Sequence, residues 1–283
     1  MFNIDKAKCK GDGKCALVCP VQIIGMDEKA GVPYPLDGAE ELCINCGHCM
    51  AVCPPSALSL KTMAPQDCLA LKEGWRLSPG KIEFLFKGRR SIRNYKDQSV
   101  DRQVIEKIID IARYAPTGIN RQPVLWEVIS GKENICQLSE AVINWMREMI
   151  EKKSPLAEML RFENIVSAQA KGADRICRGS QHIILAYSVK DEPTGAQACT
   201  IALTYFELAA LSFGLGACWA GYVSIAVNMS DEVRKLVGLS PRAACHGAMM
   251  LGFPKYDYHR VPMRNSPNIR WSPAPAGSQD CAK

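Results

Sequence analysis

The 283-residue chain contains no run of more than two basic residues and no interleaving of basic with aromatic side chains. The footprint of a nucleic-acid binder is therefore missing, despite a net charge of +6. The opening residues, MFNIDKAKCKGDG, lack the apolar core of a signal peptide. There is no internal repeat beyond two cysteine runs, and no low-complexity tract before the Pro/Ala-rich tail that follows Trp271. One uncharged stretch, residues 208–230, is long enough to span a bilayer. Gly214, Gly216 and Gly221 interrupt it and no basic flank anchors it, so it reads as a buried helix ending near Gly214, then a turn and a buried strand. No membrane and no nucleic acid are expected as partners, and the expected location is the cytoplasm.

What is present is an ordinary globular composition, 47% hydrophobic and 23% charged, with an extraordinary content of 14 cysteines. Seven of them fall between residues 9 and 53, at intervals of two, three and five residues. Such crowding belongs to metal ligation rather than to disulfide bridges. The sequence CINCGHCMAVCP places Cys43, Cys46, Cys49 and Cys53 in the pattern C-x2-C-x2-C-x3-C-P. Three thiolates on one tight loop reach three irons of a cubane, and the fourth points to a second cluster. A zinc site would use two separated pairs instead. The earlier run, CKGDGKCALVCP, puts Cys9, Cys15 and Cys19 in register with the same template, with Asp12 in the second ligand slot.

Together the two runs resemble the two-cluster bacterial ferredoxins, which implies a pseudo-twofold α+β module with exchanged ligands. One cluster would use Cys19, Cys43, Cys46 and Cys49. The other would use Cys9, Asp12, Cys15 and Cys53. Asp12 departs from the family pattern, and a carboxylate is a harder ligand than a thiolate. Its site could hold a 4Fe–4S cluster ligated by Asp12 or by water, or a 3Fe–4S cluster. Asp12 also precedes Gly13, where aspartate has ordinary turn chemistry.

Charge divides unevenly. Residues 1–60 carry five Lys against seven Asp or Glu, leaving −2, while the remaining residues carry 30 basic against 22 acidic, leaving +8. The basic surplus suits a phosphate-bearing cofactor and an acidic electron donor. Residues 61–85 mix Pro65, Gly74, Pro79 and Gly80 with polar residues and read as a connector. Beyond it, helical and strand patterns mix. DRQVIEKIIDIARY puts Ile105, Ile108, Ile109 and Ala112 on one face of a helix closed by Pro116. VLWEVIS, HIILAYSV and HGAMMLGF read as strands, AQACTIALTYFELAALSFG as a buried helix, and DEVRKLVG as a short helix capped by Gly238. The expected domains are 1–62, a 63–85 connector and 86–283.

The segments GRRSIRNY, APTGINRQP, GLGACWAGY and LGFPKYDYHRVPMR resemble the nitroreductase family of FMN oxidoreductases over residues 86–271. The expected fold class is thus α+β, a small ferredoxin-like module followed by a nitroreductase-like FMN domain. The resemblance implies that Arg89, Ser91 and Arg264 hold the FMN phosphate, with Arg260 nearby, a role for which arginine's fork is suited. Arg90 and Arg93 would line the ribityl chain or pyrimidine edge. Asn120, with Pro116, Thr117 and Gln122, would reach the flavin from the partner subunit of a homodimer. The turn at Trp219, Ala220 and Gly221 would bring a backbone N–H to the flavin, where glycine permits close approach. Trp219 and Tyr222 read equally as core aromatics, and His182 as a packed histidine. Arg178 is left out of the site. No catalytic acid or base is nominated. The cysteines at 68, 136, 177, 199, 218, 245 and 281 read as small core hydrophobes.

The implied activity is transfer of electrons from a low-potential donor, through two clusters, to FMN and on to a small organic acceptor. An external ferredoxin or NAD(P)H would supply them. Alternatives are an NAD(P)H-dependent nitroreductase whose clusters are structural or sensory, a reductive dehalogenase, and an electron carrier to a partner protein. The missing G-x-G-x-x-G fingerprint does not decide among them, because nitroreductases bind nicotinamide without it.

Overall fold

The structure, a computed structural model, describes residues 1–272. Within the cysteine-rich part lie β1 (Phe2–Ile4), α1 (Lys14–Leu17), β2 (Ile24–Met26), β3 (Pro33–Pro35), α2 (Ala39–Leu42), α3 (His48–Ala51) and β4 (Leu58–Leu60). β1 pairs antiparallel with β4, and β2 with β3. Each cysteine run turns into its helix through a left-handed glycine: Gly13 (φ 68°) precedes α1, and Gly47 (φ 74°) precedes α3. Only glycine takes this conformation without steric cost. A buried core of Cys15, Ile23, Ile24, Ala39, Cys49, Met50, Leu58 and Leu60 holds the module together.

Two single turns of 3-10 helix, Pro65–Asp67 and Glu73–Trp75, follow, and then α4 (Pro79–Gly88). The expected connector therefore ends in a helix that runs past residue 85. The larger part comprises α5 (Arg102–Ala112), β5 (Leu125–Ser130), α6 (Lys132–Glu151), α7 (Pro155–Met159), α8 (Phe162–Ala170), β6 (His182–Val189), α9 (Gly195–Ser212), β7 (Gly216–Trp219), α10 (Gly221–Met229), α11 (Asp231–Leu236) and β8 (Ala243–Gly252).

Its sheet runs β5-β6-β8-β7, antiparallel throughout. Both faces are covered, which is why β6 reads as one apolar run. Ile183 and Leu185 pack with α6 and α10 on one side, while Ile184 and Ala186 pack with α5 and α9 on the other. The period-two alternation of side chains sends neighbours to opposite layers. α5 begins where the Asp101 carboxylate accepts from the Gln103 N–H at 2.7 Å, and it buries Ile105, Ile108 and Ala112, the expected face.

The uncharged stretch 208–230 is the end of α9, a turn at Gly214 (φ 70°), β7 and then α10, a helix the sequence reading did not anticipate. Among the described residues, no helix is long and apolar enough to cross a membrane. The reading of spare cysteines as core residues holds for Cys177, Cys199, Cys218 and Cys245, which are buried. It fails for Cys68 and Cys136, which are exposed: the first stands in the connector, the second on the solvent side of α6. Cys281, like the end of the expected second domain, lies outside the described residues.

Phe206 is fully buried under Trp126, with ring centroids 5.9 Å apart. Phe206→Ala should cost the second domain about 3–5 kcal/mol. Denaturant unfolding followed by circular dichroism checks this, and the visible cluster absorbance should be unchanged before that transition.

Candidate functional site

The cysteines sort themselves around two separate hollows. Cys9, Asp12, Cys15 and Cys53 line one, together with Gly11, Gly13 and Pro33. Cys19, Cys43, Cys46 and Cys49 line the other, walled by Ile23, Ile24 and Leu60. The electrostatics divide the same way. Burial pushes the Cys49 thiol up to about 11, and Cys46 and Cys19 add to the rise. Burial also raises Cys15, with Cys53 and Cys9 as its contributing neighbours. Burial there favours the neutral thiols, so thiolates would form in these hollows only beside positive charge such as iron. Among the described residues, no three His, Cys, Asp or Glu side chains converge as the ligands of one metal ion would. Thiols spread around a hollow suit a multi-iron cubane, whose corners lie apart, better than a lone zinc ion.

The Asp12 carboxylate is partly exposed and already engaged. Lys14 Nζ lies 3.0 Å from it and the Lys14 N–H donates to it at 3.3 Å. These contacts hold the carboxyl below its ordinary range. Asp12 thus makes the turn contact expected of it and borders the hollow at once.

The second set of candidates begins with the segment after α4. The Ile92 N–H donates to the Ala217 carbonyl at 3.0 Å, laying residues 89–93 along β7. Ile92 is buried where Gly216 has no side chain: a Cβ there would stand 2.2 Å from Ile92 Cγ1. The Tyr95 hydroxyl closes the turn by donating to the Ile92 carbonyl at 2.7 Å. β7 then delivers Trp219, Ala220 and Gly221 to the start of α10. Arg89, Arg90, Ser91, Arg93 and the 219–221 turn are thereby brought to one region. Two observations make it fit an anionic, flat cofactor. Arg90 Nε is buried with no hydrogen-bond partner among the described residues. Nothing stands within 4 Å of where a Cβ on Gly221 would be, so its backbone is open to close approach.

Sequence reasoning missed two residues here. Arg89 Nη1 donates to Glu207 Oε1 at 2.8 Å, and Glu207 is the buried acid of α9. A lone acid in an otherwise apolar helix was the available signal. Half-buried Arg178, in the left-handed region (φ 55°), joins Arg93 and Glu207 in the field acting on Tyr95 and Cys218. His182, by contrast, is the packed histidine expected. Its Nε2 accepts from the Val100 N–H at 2.9 Å and its Nδ1 pairs with the Ser130 hydroxyl at 2.9 Å.

The remaining candidates lie elsewhere. Pro116, Thr117, Asn120 and Gln122 occupy a loop beyond the far end of β6, fastened by Arg121 to Glu192 at 3.1 Å. Ile92 is level with His182 at one end of β6, while the loop follows Val189 at the other. Seven strand intervals of ~3.4 Å separate these ends, about 24 Å. The loop is tightly shaped: Ile119, Asn120 and Gln122 all have positive φ (44°, 56° and 48°). Gln122 Nε2 donates to Asn120 Oδ1 at 3.3 Å, and Asn120 Nδ2 donates to the carbonyls of Ile44 and Asn45 at 3.1 and 3.0 Å. Arg260 and Arg264 stand exposed in the extended segment after β8. One chain therefore does not gather the whole expected flavin set.

Burial lifts the Glu207 carboxyl above its ordinary 4.5, and Arg89 draws it only part of the way back. Ionising it costs more in the folded than in the unfolded chain, so its stabilising contribution is present below 4.5 and is lost as pH rises through the raised value. The stability difference between the protein and Glu207→Gln should therefore shift in favour of the Gln variant as pH rises, within the window just above 4.5. Urea titrations across that window read it.

The family model of the nitroreductase family matches residues 86–253, and that of the 4Fe-4S dicluster domain matches residues 8–57. A protein from Methanothermobacter thermautotrophicus, provisionally named NADH dehydrogenase/NAD(P)H nitroreductase, is 29% identical over 168 residues, 59% of this chain and 74% of that protein. A 7Fe ferredoxin from Hydrogenibacillus schlegelii is 39% identical over 56 residues, 20% of this chain and 65% of that protein. The crystal structure of a nitroreductase with bound FMN from Desulfitobacterium hafniense superposes with a TM-score of 0.54 at 19% identity, over 69% of this chain and 100% of that one. The chain belongs to the nitroreductase family of FMN-dependent oxidoreductases, joined to an N-terminal ferredoxin-type module for two iron–sulfur clusters.

Proposed function

We propose that this protein takes electrons from a low-potential donor, carries them through its two clusters to FMN, and reduces a small organic acceptor such as a nitro compound or a quinone-like molecule. The observation that carries this reading is the contact of Asn120 with Ile44 and Asn45, which joins the flavin-domain loop to the cluster loop. That contact sets the Cys43–Cys49 loop beside a loop of the flavin domain, as a path from cluster to flavin requires.

FMN, when bound, accepts electrons singly and releases them as a hydride. The chain's own residues bind and orient it. Arg89, Ser91 and Arg93 offer donors to the phosphate and ribityl chain, with Arg260 and Arg264 arriving from the extended segment. Glu207 holds the Arg89 guanidinium in place. The open backbone at Gly221 admits the ring. Because residues 89–93 and the 115–122 loop stand at opposite ends of β6, the complete pocket is formed by two copies in a homodimer. A second reading, direct reduction by NAD(P)H, draws support from the name of the archaeal relative.

The ligand sets follow the two hollows, Cys19, Cys43, Cys46 and Cys49 in one and Cys9, Asp12, Cys15 and Cys53 in the other. Asp12 is assigned as an iron ligand, in competition with Lys14. The relative named a 7Fe ferredoxin falls one iron short of two complete 4Fe–4S clusters, which makes the Asp12 position the place where an iron would be held weakly. Asp12→Cys should raise the iron bound per chain and change the spin signal of the reduced protein. An unchanged iron count and signal would remove Asp12 from the ligand set.

The donor is found by mixing anaerobic, cluster-replete protein separately with reduced low-potential ferredoxin, NADH and NADPH while following the flavin band. Fast bleaching by ferredoxin, abolished in Cys46→Ser/Cys49→Ser, is the expected result. Fast bleaching by a nicotinamide in that same variant would demote the clusters to a structural or sensory role.

A further inference from the structure

The cluster loop touches the 115–122 loop, whereas Ile92 of the arginine segment lies level with the other end of β6. The Cys43–Cys49 loop presents the Ile44 and Asn45 carbonyls to Asn120. Asn45 is itself shaped for this, with φ 51° and its side-chain oxygen accepting from the Thr62 hydroxyl at 2.7 Å. The Asn120 amide is fixed in orientation by Gln122, so that its N–H groups point to the cluster loop. The cluster bordered by Cys19, Cys43, Cys46 and Cys49 is therefore held against the 115–122 loop at the Val189 end of β6, whereas Ile92 of its own arginine segment is level with His182 at the other end, about 24 Å along the strand.

We propose that electron delivery is crossed: in the homodimer, the Cys19/Cys43/Cys46/Cys49 cluster of one chain serves the FMN held by Arg89 and Arg93 of the other. This inference rests on the homodimeric reading above and adds the direction of the traffic. Asn120 is the positioning residue, since it fastens the near cluster to the loop that completes the partner's pocket. The cluster bordered by Asp12 is then the outer one, which meets the external donor first. The balance is simple. Each passage takes one electron from reduced external ferredoxin, leaves that ferredoxin oxidised, and returns the near cluster to its oxidised state. Two passages and two solvent protons reduce one FMN.

Complementation decides it. One variant, Cys46→Ser/Cys49→Ser, loses the near cluster and keeps its arginines. A second, Arg89→Ala/Arg93→Ala, keeps its clusters and loses the flavin site. Each alone should fail to reduce flavin from ferredoxin. In a reassorted equimolar mixture half the dimers are mixed, and crossed delivery gives each of these one working site of two, so about a quarter of the wild-type flavin burst should return. Delivery within a chain predicts no recovery, and that result overturns the proposal. Light scattering on the same samples separates the two levels. A monomeric protein sinks the homodimer reading, whereas a dimer without recovery sinks only the crossing.

A readout independent of flavin tests Asn120. Asn120→Asp keeps the shape but turns a donor into an acceptor facing two carbonyls. Hydrogen exchange over residues 43–48 should quicken at least about fivefold, since a lost pair of hydrogen bonds is of that order. Iron content should stay at the wild-type level. Exchange unchanged in this variant, with lower FMN affinity, would make Asn120 a flavin contact only.

Discussion

The antiparallel pairing of β6 with β8 sets where everything else falls. Its eight rungs, from His182–Leu251 to Val189–Ala243, form the centre of a sheet buried on both faces. The strand length is dictated by the helices that must cover it, because α9 and α6 each need a matching stretch of apolar sheet. Once that length is set, whatever attaches to its two ends is kept apart by the same distance. The arginine segment attaches at one end through Ile92 and Ala217, and the 115–122 loop attaches at the other through Arg121 and Glu192. In the proposed homodimer, a flavin site that draws on both ends would belong to the assembly rather than to one chain.

The ferredoxin module obeys a different constraint. With only eight buried core residues, two of them cysteines, its apolar burial is slight. Metal binding and folding are the same free energy in such small modules. The glycines at 13 and 47 set the backbone so that Cys15 and Cys49 turn inward, and burial then disfavours their thiolates until iron is bound.

Much of this was legible in the sequence, and for identifiable reasons. Cysteine spacing is a local code, since iron geometry fixes the intervals, so the sorting of the cysteines around two hollows could be anticipated. Apolar periodicity named α5, α9 and the strands. What escaped were features created by distant parts of the chain meeting. Glu207 became part of the site only because α9 lies beneath Arg89. Arg178 joined it through a left-handed backbone at that residue. Asn120 carries the amide the flavin reading required, yet its partners lie more than 70 residues away in another module, which no local pattern encodes. α10 was hidden because Gly221, a helix breaker by propensity, stands at its first position, where it breaks nothing.

One modest element has a larger meaning. α4 buries none of its ten residues, and Ile82, Phe84 and Phe86 lie exposed along it. A helix this short has little intrinsic stability in water. Its order must therefore be borrowed from whatever covers those rings, and α4 leads directly into Arg89. In the proposed homodimer, where a second copy would cover those rings, cofactor retention would be tied to the protein's own concentration. Copies parting on dilution would then leave α4 uncovered and the arginines that follow it without support, and flavin would be released by mass action.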